Sequence, residues 1–477
     1  MAIALIVVPL LLALVALAIP SNRLRPWLVP LGGAAHLALV IYALTEARVS
    51  GLGGWLVLDG VARLVLALTS VLFFLSAVYA RGYLALYPHR SNRVFCACML
   101  AFVAMLTLIA EAQHLGLMWV AMETTTLTSA PMLYFQRTPL SLEATWKYLL
   151  IGSVGIALAL LGSLFLGYAA LRGGLDPSLL LDDLIRDAPR LSRPWLRSAF
   201  IILFVGYGTK MGLAPMHSWK PDAYGEAPGL VGTLLAGGLT NCAFLAILRF
   251  YKICSAAGDP RFAEELMIVT GLFSMGVAGV FMARQKDFKR MLAYSSVEHM
   301  GILVLGVGIG GAGIFGAMLH MLNNGLTKGV LFLSAANIHR AYGSKTTDEV
   351  RGALHRLPVS GALLLAGFFA ITGSPPFGPF LSEFTILNAA ISGAHYVIAT
   401  LFLLMLVVIF TGMGATVLTV VQGKPSPKAE ATTFRDDFST VAPGIVLIGL
   451  VLMLGIYIPG PVDGLIRDAA AALETKP

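Results

Sequence analysis

The chain alternates between long unbroken runs of apolar residues and short polar punctuation. Apolar runs of roughly 17–25 residues, the length a helix needs to cross a hydrocarbon core, fall near residues 2–19, 27–44, 61–80, 94–110, 115–135, 146–171, 196–217, 229–251, 265–284, 290–309, 312–335, 359–390, 394–421 and 441–459. Strands of a membrane barrel would instead read as segments of about ten residues alternating apolar and polar. The pattern therefore predicts an all-α integral membrane protein of about fourteen transmembrane helices. Two predicted spans are interrupted: Gly206, Gly208, Gly212 and Pro215 punctuate the seventh, and Gly373, Pro375, Pro376 and Pro379 the twelfth. Such residues free backbone groups that hydrocarbon cannot satisfy, so the breaks belong where protein or water faces them. Broken spans at matching places in two halves point to two inverted five-helix repeats. The expected division is 1–93 for helices one to three, 94–252 for the first repeat (helices four to eight), 253–421 for the second (nine to thirteen), and 422–477 for a linker, helix fourteen and a short tail.

Composition closes off the alternatives. Of 477 residues, 57% are hydrophobic and 12% charged, about half the charge of a water-soluble domain. The net charge of +8 is scattered between the spans rather than clustered, so nucleic acid is not an expected partner. The loops after odd-numbered spans hold the larger share of Lys and Arg, which places them in the cytoplasm and both termini outside an inner (cytoplasmic) membrane. The segment 172–197, with five basic residues and four aspartates, runs against this bias. Cys96, Cys98, Cys242 and Cys254 form no metal or disulfide framework. Gly308, Gly310 and Gly313 spell a dinucleotide-type glycine pattern, but they lie between two spans with no strand context.

The chemistry sits where the spans carry ionisable groups. Burying one in a membrane costs several kcal/mol unless it faces protein or water, so each is a functional candidate. Glu123 lies mid-span in WVAMETTTLTSAP, Lys210 in FVGYGTKMGLAPMHSW, Lys328 in HMLNNGLTKGVLFLSAANI, and Glu383 after the break in ITGSPPFGPFLSEFTIL. A charge near a span end can snorkel to the interface; Glu123 and Lys328 are too deep for that. A glutamate and a lysine in a low-dielectric interior form a proton switch: adjacent, both are charged, and separated, the lysine gives up its proton. His320, two turns before Lys328, and His299, beside Glu298, are candidate relays because imidazole titrates near neutrality. Ser295, Ser296, Asn323 and Asn324 could hold water between them, or serve only as interhelical hydrogen bonds.

The stretches KMGLAPMHSWKPDAYGEAPG, DFKRMLAYSSVEHMGIL, HMLNNGLTKGVLFL and GSPPFGPFLSEFTIL resemble the antiporter-like subunits shared by respiratory complex I, multisubunit cation/proton antiporters and membrane-bound hydrogenases. KPDAYGEAP with YSSVEHMG looks most like the F-type membrane subunit of hydrogenase-4 and formate hydrogenlyase-related complexes. The resemblance implies a polar axis at mid-membrane depth built on Glu123, Lys210, His320, Lys328 and Glu383. It departs at Asn241, where many relatives carry a lysine or histidine, and at Asn324, where some carry a second histidine. The function it implies is a proton-translocating, non-catalytic subunit of a redox-driven complex. No cofactor is expected in this chain, and iron–sulfur and metal centres are expected in partner subunits, which would comprise other membrane subunits and a peripheral redox module. A cation/proton antiporter subunit and the membrane subunit of an inorganic-carbon uptake complex are the alternatives.

Overall fold

A computed structural model describes residues 1–425 and 432–474. The chain is an integral membrane protein, helical nearly throughout: α1 (Ala2–Ala18), α2 (Arg25–Thr45), α3 (Gly60–Ala85), α4 (Arg93–Glu111), α5 (Leu115–Leu133), α6 (Pro139–Arg172), a short α7 (Leu181–Arg186), α8 (Arg193–Met211), α9 (Trp219–Glu226), α10 (Gly229–Leu234), α11 (Thr240–Ala256), α12 (Pro260–Met282), α13 (Phe288–Ile309) and α14 (Ala312–Tyr342). Then come a single turn α15 (Ala353–Arg356), α16 (Pro358–Ile371), α17 (Gly378–Ser392), α18 (Tyr396–Val421), α19 (Phe438–Ile456) and an amphipathic α20 (Gly460–Ala471) that buries Ile466 and Ala469. Among the described residues, nine helices are long and apolar enough to cross a membrane. The other five predicted spans coincide with helices that are short (α1), broken (α8–α9 and α16–α17) or diluted by polar residues (α5 and α14). The predicted linker 422–440 falls partly outside the described residues.

Both predicted breaks are present. α8 ends at Gly212, whose φ of +79° is a left-handed cap that glycine adopts without strain. The chain then crosses Leu213–Ser218 before restarting as α9. Freed backbone groups find partners: the Trp219 indole donates to the Thr209 carbonyl at 2.8 Å, and the Ala214 amide donates to Ser274 Oγ at 3.0 Å. The predicted seventh span stopped at residue 217, and the structure corrects this, because its second segment is the helix Trp219–Glu226. Asp222 pins that short helix through ion pairs to Lys147 of α6, at 2.8 Å, and to Arg290 of α13. The twelfth span breaks at 372–377, between α16 and α17. The eighth is continuous but carries a π-helical turn at Leu235–Leu239 between α10 and α11.

Small residues let the helices approach closely, as packing within a membrane demands. Gly155 of α6 and Gly206 of α8 meet backbone to backbone, as do Gly271 of α12 and Gly301 of α13; a Cβ on any of the four would stand 2.6–2.7 Å from an atom of the facing helix. Arg249 of α11 closes the far end of α4, donating to the carbonyls of Ile109, Ala110 and Ala112 and pairing with Asp59, the cap of α3. The last carbonyls of a helix have no partner of their own, and here one guanidinium supplies it.

Candidate proton pathway

Two clusters of buried polar groups lie inside the bundle. In the first, α5 presents Glu123 and, one turn on, Thr126. Glu123 accepts from Ser153 of α6 at 2.8 Å and from the Thr126 hydroxyl at 3.4 Å. That hydroxyl in turn accepts a hydrogen bond from Lys210 Nζ of α8. Lys210 is fully buried. Its ammonium lies 5.1 Å from the centre of the Tyr148 ring, a cation–π arrangement, and Tyr148 bonds Ser129 at 2.7 Å. Gly152 leaves the space the amine occupies, since a Cβ there would lie 3.3 Å from Nζ. Glutamate and lysine are thus joined through a threonine hydroxyl rather than as a bare ion pair.

The second cluster is built from α13, α14 and α17. Lys328 Nζ donates to Ser295 Oγ at 2.8 Å, and Ser295 also faces Glu298, one turn along α13. Glu298 Oε2 lies 3.7 Å from His299 Nε2. His299 Nδ1 and His320 Nε2 share a hydrogen bond at 3.0 Å, and His320 Nδ1 bonds Ser382 Oγ at 2.9 Å. Because Ser382 sends its own proton to the Pro379 carbonyl, His320 Nδ1 donates to Ser382 and its Nε2 accepts from His299. This is a tautomer assignment made from the network. It leaves His299 Nε2 as an open acceptor aimed toward Glu298. A proton placed there can be matched by one leaving the far end of the imidazole pair, next to Glu383. Glu383 is buried, its Oε1 has no partner among the described residues, and its other oxygen rests over Gly373, where a Cβ would lie 2.2 Å away.

Ligand atoms of His299, His320 and Glu383 lie within 4.8 Å of one another, so their donor set could hold a metal ion. The histidine pair spends one nitrogen of each ring on their mutual bond, which a metal would have to break. The arrangement suits proton relay better.

Each candidate from the sequence therefore finds a place: Glu123 with Lys210, and His299, His320, Lys328 and Glu383 together. Glu298, noted there only as a neighbour of His299, belongs to the second cluster. Lys220, which falls between the predicted spans 196–217 and 229–251, is fully buried. The helix breakers on both sides of WKPDAYGE, Pro215 and Pro228, were the signal that this stretch is a second half-helix. Asn241 donates to the Gly237 carbonyl of its own helix at 2.8 Å. Asn323 and Asn324 of α14 are buried, and their side-chain amides have no hydrogen-bond partner among the described residues, as groups that hold buried water do.

The family described as NADH:quinone oxidoreductase/Mrp antiporter, TM, matches residues 112–456, a stretch that holds both clusters. The chain belongs to this family. It is 34% identical to the hydrogenase-4 component F homolog of Methylacidiphilum infernorum over 96% of each chain, and 28% identical to the NADH-quinone oxidoreductase subunit N of Desulforudis audaxviator over 95% of each. Among solved structures, it superposes on a chain of an archaeal membrane-bound sulfane sulfur reductase with a TM-score of 0.86, at 21% identity, covering 99% of this chain and 97% of that one. A chain of respiratory complex I from Thermus thermophilus gives 0.82 at 22% identity, with both chains fully covered. At these identities the two superpositions speak for the fold.

Proposed function

We propose that this chain is the proton-translocating membrane subunit of a redox-driven complex of the hydrogenase-4 or complex I type. The observation that carries the reading is a buried run of polar groups beside Glu383: Lys328 bonded to Ser295, Glu298 3.7 Å from His299, and His299 bonded through His320 to Ser382. Paired imidazoles pass protons and offer a sodium ion little, which favours H⁺ as the cargo. Glu123 and Lys210 form the first switch, and Lys328 passes protons toward Glu383 at the exit. The two broken helices are the counterparts in two inverted repeats, 94–252 and 253–421. Electron transfer belongs to partner subunits carrying iron–sulfur and metal centres, and both termini lie outside the inner membrane.

Glu123 supports the expectation of membrane partners. It is half-buried, and its partner Ser153 is exposed on the outer face of α6, where bare hydrocarbon would be costly for a carboxylate. A neighbouring membrane subunit seated on this face would complete its surroundings. In the purified complex, Lys210→Ala is expected to abolish proton uptake while leaving subunit composition intact. Wild-type uptake in that variant would overturn the reading.

A further inference from the structure

Between Lys210 and Lys328 the two clusters need a connection, and Asn241 does not supply one: its amide carries no exchangeable charge and is committed to its own helix. The structure assigns this connection to Lys220, the second residue of α9, as a proton-carrying residue that links the two halves.

Three observations place it there. First, its position is built for an amine. The left-handed cap Gly212 lies directly beneath the Lys220 side chain, where a Cβ would come within 2.4 Å of Cδ and Cε and 2.8 Å of Nζ. The break in the seventh span thus provides both the backbone geometry and the room for the lysine. Second, its amine faces the second cluster. Nζ donates to Ser296 Oγ at 3.0 Å, and the adjacent Ser295 holds Lys328 Nζ at 2.8 Å. Two ammonium groups on neighbouring serines repel each other, so a proton on one disfavours a proton on the other. Third, its chain neighbour Trp219 is tied to the first cluster. Trp219 is bonded to Thr209, the residue before Lys210, and its ring packs 5.1 Å from that of Tyr148, over which Lys210 lies. Lys220 itself is fully buried, stands 5.7 Å from the Tyr224 ring, and has no carboxylate within 4.0 Å among the described residues. A buried lysine with no acidic partner is a poor structural brace, because its charge is uncompensated. As a carrier that is neutral for part of each cycle, it fits its surroundings.

The transfer balances. With Lys220 in its amine form, an N–H bond of the Lys210 ammonium breaks through intervening water as an N–H bond forms on Lys220. In the next step that proton leaves Lys220 through the Ser296–Ser295 hydroxyls as one is gained by Lys328. No electrons move and no proton is created.

The inference rests on the proton-translocation reading, and the test separates the two. The complex would be purified through this subunit, reconstituted into liposomes and energised with hydrogen, formate or NADH, whichever it oxidises. Dye-reported proton uptake, donor oxidation and subunit composition would then be followed for Lys220→Met, Lys220→Arg, Lys220→His and Lys210→Met. Lys220→Met is expected to keep its subunits and lose uptake by at least about tenfold, as loss of a proton-transfer group does. Lys220→Arg, which keeps bulk and charge but holds its proton, should be equally impaired, and Lys220→His should recover part of the uptake. Full uptake in Lys220→Met or Lys220→Arg overturns the assignment, the latter result showing that only a fixed charge is needed. If Lys220→Met fails to assemble, the arginine and histidine variants decide alone. Loss of uptake in Lys210→Met with normal uptake in Lys220→Met sinks only the Lys220 inference. Normal uptake in both sinks the proton-translocation reading itself.

Discussion

The two clusters use the same parts in different surroundings. In the first, a glutamate, a threonine hydroxyl and a lysine stand in line, with the glutamate half-buried near the outer face of α6. In the second, a glutamate, a serine hydroxyl and a lysine are fully enclosed and extended by two histidines and a further acid. A hydroxyl between carboxylate and amine lets the pair exchange a proton without locking into an ion pair that would be hard to separate in a dry interior. The contrast lies in what surrounds that unit. The first cluster reaches the outer face of α6 at Ser153, where the proposed neighbouring subunit would finish its walls. The second is sealed by its own chain, with His299, His320, Glu298 and Lys328 all buried.

The sharpest way to break this contrast is to remove one link from each cluster. His320→Ala strips partners from His299 and Ser382, both buried, at about 1–3 kcal/mol for each group left unsatisfied. It is expected to abolish proton uptake and to lower the thermal stability of the complex. Thr126→Ala removes a hydroxyl that water can replace at the more open site, so uptake should fall only about tenfold, less than the roughly hundredfold or more that a full proton-transfer group contributes. Equal losses in the two variants would show that enclosure does not distinguish the clusters.

A smaller effect probes the breaks, where each half places a left-handed glycine beneath a charged side chain: Gly212 under Lys220, and Gly373, with φ of +66°, under Glu383. Alanine at either position meets both a disfavoured backbone conformation and the side chain itself. Each substitution should destabilise by about 1 kcal/mol or more and slow uptake with electron transfer retained. Melting curves and uptake assays of the two variants would check this, and an innocuous Gly373→Ala would show that Glu383 can sit elsewhere.

The smallest effect lies outside the membrane. Asp259, before α12, accepts two hydrogen bonds from Arg197, at 2.6 and 3.0 Å. That bond holds its carboxyl below the usual carboxylate range. Its stabilisation is therefore complete above the ordinary carboxylate value of about 3.9 and fades only as pH falls through the lower folded value. Because Arg197 is half-exposed, Asp259→Asn should cost no more than about 1 kcal/mol near neutral pH and leave uptake unchanged. Melting temperatures of the two forms should converge as the solution is acidified, and a difference that persisted in acid would remove the ion pair as its cause.

How much of this was legible beforehand differs between residues. Glu123, Lys328 and the two breaks stood out because hydrocarbon imposes a large cost on a charge or an unsatisfied backbone group. Lys220 did not stand out, since a lysine nine residues before the start of the next apolar run, 229–251, reads as a loop charge. Ser382 and Thr126 were hidden for another reason: hydroxyls are common in membrane helices, and nothing in a linear sequence tells a relay from an interhelical bond.

The sequence by itself determined the membrane class, the positions of most helices and the identity of the groups too costly to leave in lipid, because those follow from local composition and a fixed bilayer thickness. Tertiary structure alone decided which groups meet. His299 and His320 are bonded only because α13 and α14 turn back at Gly310 and Gly311, both with positive φ. Lys220 is buried only because the chain re-enters the bundle after Gly212 and Asp222 holds α9 between α6 and α13. A few ångströms separate a relay from an isolated charge, and that distance is set by contacts between residues far apart in the chain.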